Sequence, residues 1–307
     1  MDIRRLPAMQ GLVWFRQAID LGSKNPRAVF GAALLLIASL YMAALLMALV
    51  LAALVGGGAA AGKTPDIGLL MAVALPMTLL VMFLVPILLG GLMHVVREAE
   101  AGRPVRARAV FAPLRGEHGR RLAWLGLVQV GMAVGGGLLL MAAAGSGYWR
   151  DYMLAMQAMV QGSTPVLPEP QHPGLMFVLQ MVFNYFNYGL ILLAIPLMLF
   201  SGCGVLDALR LALRALLRNV AANLLAGALF IGAMLVATLV VALLVTLLAM
   251  LGGALHPVLG ALLALLVMLG FAAVVLVVVV GATHLAWRDT FGDAVPPSMA
   301  TVHVFEA

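Results

Sequence analysis

Acidic residues are scarce in this 307-residue chain, with twelve Asp and Glu, and none stands in any of its six long apolar runs. That absence excludes a carboxylate pair for proteolysis within a membrane. It also leaves a proton-coupled transporter without the intramembrane relay such proteins use. There is no His-Glu-x-x-His, no Gly-x-Ser-x-Gly, no Walker loop, and no acidic cluster for the magnesium of a lipid-headgroup transferase. The single cysteine, Cys203, rules out an internal disulfide and a cysteine metal cluster. Charged residues make up only 10% of the chain, against about 25% in soluble domains. The expectation is a protein that is not an enzyme and carries no cofactor.

What fills the chain is hydrocarbon: 64% of residues are hydrophobic and the mean hydropathy is +1.11. A helix needs ~20 apolar residues to cross a bilayer. Six runs qualify, Ala28–Val55, Ile67–Val96, Leu122–Ala144, Leu175–Phe200, Val220–Leu251 and Val258–Ala286. None contains Asp, Glu, Lys or Arg. The fold class expected is therefore all-α and polytopic, a single membrane domain over 1–307 with six transmembrane helices as three hairpins.

Sixteen of the eighteen basic residues fall before the first run, in the second and fourth connections, and after the last run; only Lys63 and Arg150 lie on the other side. By the positive-inside rule both termini are cytoplasmic, as is a tail over 293–307. This placement also assigns the basic excess to membrane topology rather than to nucleic acid. Between the outer ends, Leu251 to Pro257 reads as a tight turn, Tyr148 to Val160 as a short helix, and the proline-spaced Thr164 to Pro173 as extended chain.

The stretch from Gly11 to Pro26 reads as an amphipathic helix lying flat before the first span. Shifted by 194 residues it lands on the segment before the fifth: Leu12 meets Leu206, Arg16 meets Arg210, Ala18 meets Ala212, Lys24 meets Arg218 and Asn25 meets Asn219. Both segments place polar groups four apart, Arg16, Asp20, Lys24 and Arg210, Arg214, Arg218, hence on one helix face. Leu12, Phe15 and Ile19, like Leu209, Leu213 and Leu216, make the opposite face, the pattern of an interfacial helix. A weaker counterpart, broken by Pro113, Gly116 and Gly119, precedes the third run and ends in Arg120-Arg121. Three tandem units follow, 9–102, 103–200 and 201–292. The alternative is that any cytoplasmic segment before a span looks basic and amphipathic.

The Gly-x-x-Trp-Phe start at Gly11, the amphipathic turn, Asn25-Pro26 and the long span that follows resemble an uncharacterised family of six-span proteobacterial inner-membrane proteins. The plan is also similar to the membrane domain attached to some glycerophosphodiester phosphodiesterases, whose catalytic domain has no counterpart here. The resemblance implies a bacterial inner-membrane location and a six-span fold. It brings no activity and no site residues.

The most polar point inside a run is Phe183-Asn184-Tyr185-Phe186-Asn187-Tyr188. Asn184, Asn187 and Tyr188 share a helix face, with Gln129 and Thr78 as partners from other runs. Two readings stand: a face lining a cavity for a headgroup or small solute, or interhelical glue. Pro76, Pro86 and Pro196 are expected to kink or interrupt their helices. Gly131, Gly135, Gly136 and Gly137 form a small-residue face for close packing. His94 and His284, at corresponding span ends, suit interfacial hydrogen bonding, and Met153, Met156 and Met159 suit packing better than a soft metal.

A cytoplasmic collar that includes Arg16, Lys24, Arg120, Arg121, Arg210, Arg214 and Arg218 should contact anionic lipid headgroups. The function expected is a non-enzymatic module that organises membrane lipid or binds a partner protein or a second copy of itself. The alternative is a transporter or facilitator component for a lipid or small amphiphile, with the asparagine face lining its path.

Overall fold

The structure is a computed structural model that describes residues 2–60, 67–160 and 163–292. The tail over 293–307 and Lys63 lie outside the described residues. Those described form an all-α polytopic membrane protein. In chain order the helices are α1 (Gln10–Lys24), α2 (Pro26–Ala60), α3 (Ile67–Glu100), α4 (Glu117–Ala144), α5 (Tyr148–Val160), α6 (Pro173–Phe200), α7 (Val205–Arg218), α8 (Val220–Leu255) and α9 (Pro257–Phe291). A 3-10 segment, Ala107–Arg115, stands between α3 and α4. Helices α2, α3, α4, α6, α8 and α9 are long and apolar enough to cross a membrane. At 35 residues a helix is roughly 50 Å long, so the longest ones extend past ~30 Å of hydrocarbon or tilt within it.

Three pairs, α2 with α3, α4 with α6, and α8 with α9, pack side by side. Their connections explain the pairing. A single residue, His256, separates α8 from α9, with Pro257 opening the second helix, and Gly252 and Gly260 let the two backbones touch beside that turn. Helix α5 covers Tyr148–Val160 as its apolar pattern predicts, and residues 163–172 after it carry no helix. Helices α3 and α6 run unbroken through Pro76, Pro86 and Pro196. The expected interruptions do not occur.

Burial between the pairs is concentrated toward one end. Buried side chains cluster there: Ala28 to Ile37 of α2, Ile87 to Ala99 of α3, Ile191 to Met198 of α6, and Ala273 to Phe291 of α9. Beyond that zone Leu45, Leu49, Leu75, Leu138, Leu239 and Leu266 are exposed. The convergent end is the basic end, where α1, the 3-10 segment and α7 lie.

Each of these short segments but α1 packs chiefly on the pair that precedes it. The 3-10 segment rests on α2 and α3, α7 rests on α6, and α1 rests on α8 and α9. Small residues make these approaches possible. A Cβ at Gly91 would sit 1.8 Å from the Val110 carbonyl oxygen, and one at Gly11 would sit 2.3 Å from that of Ala222. The buried face of α1 is Gly11, Trp14, Ala18, Leu21 and Gly22, and that of α7 is Ala208, Ala212, Ala215 and Leu216. Of the leucine-rich faces, Leu216 is buried, whereas Ile19 and Leu213 are exposed. Lipid solvates large aliphatic side chains as well as protein does, so small residues turn inward, where backbones must approach.

The glycine face of α4 is also narrower than its sequence implies. A Cβ at Gly131, Gly135 or Gly137 meets nothing within 4 Å, whereas one at Gly136 would strike the Phe183 ring. Gly91→Ala should therefore lower stability by about 1–3 kcal/mol through backbone displacement. Gly131→Ala should be neutral or gain up to about 1 kcal/mol from helix propensity. Thermal unfolding of the detergent-purified variants separates the two, and equal midpoints would refute the close-contact assignment.

Candidate functional site

Two polar regions compete for a role, one along α4 and α6 and one at the convergent end. On α6, Asn184 accepts a hydrogen bond from Gln180 Nε2 at 2.9 Å, one turn away on its own helix. Asn187 lies half-buried and its side-chain oxygen, itself buried, has no partner; Gln129 on α4 is in the same state. Packing of Gly136 on Phe183 brings α4 and α6 together there. Counting ~1.5 Å per residue in opposite directions from that contact leaves Gln129 and Asn187 about one helical turn apart along the pair. Tyr188 is 59% exposed. The Thr78 hydroxyl donates to the Ala74 carbonyl at 2.9 Å, so it is not a partner. Among the described residues no amide of this face bonds across to another helix. What remains is two buried acceptor oxygens with no donor, and such groups carry a desolvation penalty of about 1–3 kcal/mol.

The convergent end holds a network that sequence reasoning missed. Helix α9 continues beyond its apolar run to Phe291 and so carries His284, Arg288 and Asp289 to the place where α3 ends in Glu100. His284, fully buried, places Nε2 2.8 Å from Glu100 Oε2. Arg288 pairs with the other Glu100 oxygen. Arg288 Nε also donates to Asp289 Oδ1 at 3.1 Å. The Asp289 Oδ2 atom accepts from Gln10 Nε2 and from Trp14 Nε1, both at 2.8 Å. Two carboxylates thus tie α1, α3 and α9 together. Above them the Arg97 guanidinium stacks over Phe200, 4.4 Å from the ring centroid, and faces Trp287 at 5.9 Å. The pairing of His284 with Glu100 replaces any joint role with His94.

The extended N-terminal strap is bound at the same end. Asn219 Oδ1 accepts from the Leu6 N–H at 2.9 Å, and its Nδ2 donates to the Arg4 carbonyl at 3.1 Å. The Arg4 N–H donates to the Thr290 carbonyl at 2.9 Å. Asn25, its counterpart before α2, accepts from the Ala28 N–H at 3.3 Å. The asparagine at each membrane entrance therefore does backbone work, capping a helix start in one case and holding the strap in the other.

Around this network lie the expected lipid contacts. Arg16, Lys24, Arg120, Arg121, Arg210, Arg214 and Arg218 are all exposed. Arg121 pairs with Glu117 at 3.9 Å and Arg210 with Asp207 at 3.7 Å. Arg16, Arg120, Arg214 and Arg218 have no ion pair among the described residues. Cys203, in the connection before α7, is partly exposed. Burial, and then the Asp207 carboxylate, push its thiol above the usual range. Among the described residues no cluster of three His, Cys, Asp or Glu side chains is placed to hold a metal ion.

No family model matches the chain, and neither a curated protein nor a solved structure matches it.

Asp289→Ala should leave the Trp14 indole N–H buried and unpaired, at a cost of about 1–3 kcal/mol. Asn187→Leu should be neutral or stabilising, because it removes a polar atom that has no partner. Chemical or thermal unfolding in detergent reads both variants. A destabilised Asn187→Leu would restore the glue reading of the α6 face.

Proposed function

We propose that this protein is a non-enzymatic lipid-organising module of the bacterial inner membrane, with both termini cytoplasmic and its convergent end on the inner leaflet. The observation that carries this reading is the ring of exposed basic side chains on α1, the start of α4 and α7, four of which lack an acidic partner among the described residues. Each Lys or Arg near an anionic leaflet contributes about 1 kcal/mol. Clamping α1 through Asp289 and α7 through its alanine face on α6 keeps these charges in one plane. The tandem-unit reading fits the same picture. Under the 194-residue shift Trp14, Ala18 and Leu21 correspond to Ala208, Ala212 and Ala215, and all six are buried.

A second reading, a facilitator for a lipid or small amphiphile, is favoured by the donor-less oxygens of Gln129 and Asn187. A hydroxyl or ammonium donor on a bound molecule would satisfy them. An Asn187→Leu protein that folds as well as wild type but no longer retains such a molecule would support it.

Replacing Arg210, Arg214 and Arg218 together with Gln should sharply reduce retention of anionic lipid in native mass spectrometry from nanodiscs, while zwitterionic lipid is retained as before. Unchanged anionic-lipid retention would remove the basis of the proposal. Orientation has its own test in Cys203. A membrane-impermeant maleimide should label it in inside-out vesicles and not in intact spheroplasts. Its raised pKa leaves less thiolate at neutral pH than in free cysteine, so the labelling rate should still be climbing steeply between about pH 8 and 9. Labelling from the spheroplast exterior would invert the topology.

A further inference from the structure

Between α3 and α4, toward the basic end of α4, Phe83, Arg120, Ala123, Trp124 and Leu127 line an open groove of about 340 Å³. The four α4 residues stand at spacings of three and four, so they form one stripe of that helix. The groove has a local cause. Gly126 brings the two helices into backbone contact, since a Cβ there would lie 2.8 Å from Phe83 Cα. One turn nearer the basic end the small side chain of Ala123 leaves the floor empty, while Trp124 stands 57% exposed beside it. Arg120 closes the mouth. Its neighbour Arg121 pairs with Glu117, but Arg120 has no ion pair among the described residues.

We infer that this groove seats one anionic phospholipid, its phosphate on Arg120 and the start of an acyl chain over Ala123 and Leu127. The inference rests on the lipid-organising reading and gives it a specific site. Charge complementarity names the occupant. The lining supplies one unpaired guanidinium, which grips a phosphate by two parallel N–H donors, and otherwise only hydrocarbon and aromatic surface. Arg120 to Leu127 spans ~10 Å along the helix, enough to lead a lipid from its phosphate past the glycerol level to its chains. An indole at that depth is the usual interfacial anchor. A partner protein's apolar helix would leave Arg120 unpaired against a dry surface, which disfavours it.

Brominated lipids read the site directly through Trp124. Trp14 and Trp287 are buried, so a Trp149→Phe protein retains Trp124 as its exposed indole. In phosphatidylcholine vesicles containing a minor fraction of brominated phosphatidylglycerol, quenching should exceed that from the same fraction of brominated phosphatidylcholine. The preference should be on the order of fivefold, the ratio one arginine near an anionic lipid supplies. Arg120→Gln in that background should equalise the two lipids. Arg115→Gln, an equal loss of charge on the 3-10 segment, should leave the preference intact. Ala123→Phe fills the floor without touching charge, and should abolish the single phosphatidylglycerol adduct that survives collisional activation in native mass spectrometry. Equal quenching by both lipids in the Trp149→Phe protein, or loss of preference in Arg115→Gln as much as in Arg120→Gln, would overturn the site. Either result would leave the wider collar to be judged by the Arg210, Arg214 and Arg218 variant. Full quenching protection of Trp124 from both lipids would show the groove covered by protein instead, and would also overturn it.

Discussion

Glu100 and Asp289 are held at the ends of long apolar helices, where an unpaired carboxylate would be costly. Each resolves the problem by gathering donors from parts of the chain far apart in sequence. Glu100 takes His284 and Arg288, and Asp289 takes Gln10, Trp14 and Arg288. Pairing in partly desolvated surroundings is strong when every lone pair is used, and breaking one partner of such a pair is expensive. The convergent end is therefore fixed by polar chemistry as well as by packing. Hydrocarbon gives no drive for apolar helices to associate with one another. The three pairs stay together where glycine and alanine admit close backbones and where the carboxylates bind, and they part where the surfaces are leucine and valine.

The three short segments share one logic. Each covers the end of a pair whose own chain leads into it, and α1 takes the remaining pair. Gly91 receives the 3-10 segment much as Gly11 of α1 receives α8, so the positions that allow close approach alternate between the long and the short elements. Exposed arginines then lie on the surfaces left outward. The same arrangement that secures the bundle also spreads positive charge around its rim.

Much of this fold was legible in the chain. Hydropathy over ~20 residues is a strong signal because backbone groups in hydrocarbon must satisfy each other within a helix. The turn at His256 and the non-helical 163–172 segment followed from proline and glycine placement, and the extent of α5 from its apolar pattern. The inward faces were not legible. The spacing of Leu12, Phe15 and Ile19 marks an apolar face but not which residues meet the neighbouring helices, and it is Trp14 and Ala18 that are buried while Ile19 is exposed. The clamp was invisible for a different reason. Glu100 and Arg288 are 188 residues apart, and the apolar run that contains His284 was taken to end before Arg288. The α6 asparagines drew notice as polar groups in an apolar stretch, but sequence gave no sign that Asn187 would face Gln129's helix without a bond to it.

The docking of α1 on α8 and α9 has a consequence for the order in which the protein is made. Helix α1 leaves the ribosome well before α8 and α9, since its seat and Asp289 are encoded some 200 to 270 residues later. At ~5–20 residues per second of synthesis, α1 waits roughly 10–60 s before its binding surface exists. During that time Trp14 and Gln10 have no carboxylate to bind, and the helix has only the membrane surface to shelter its apolar face. Completion of the bundle is then a late event in which an early segment of the chain meets one made much later.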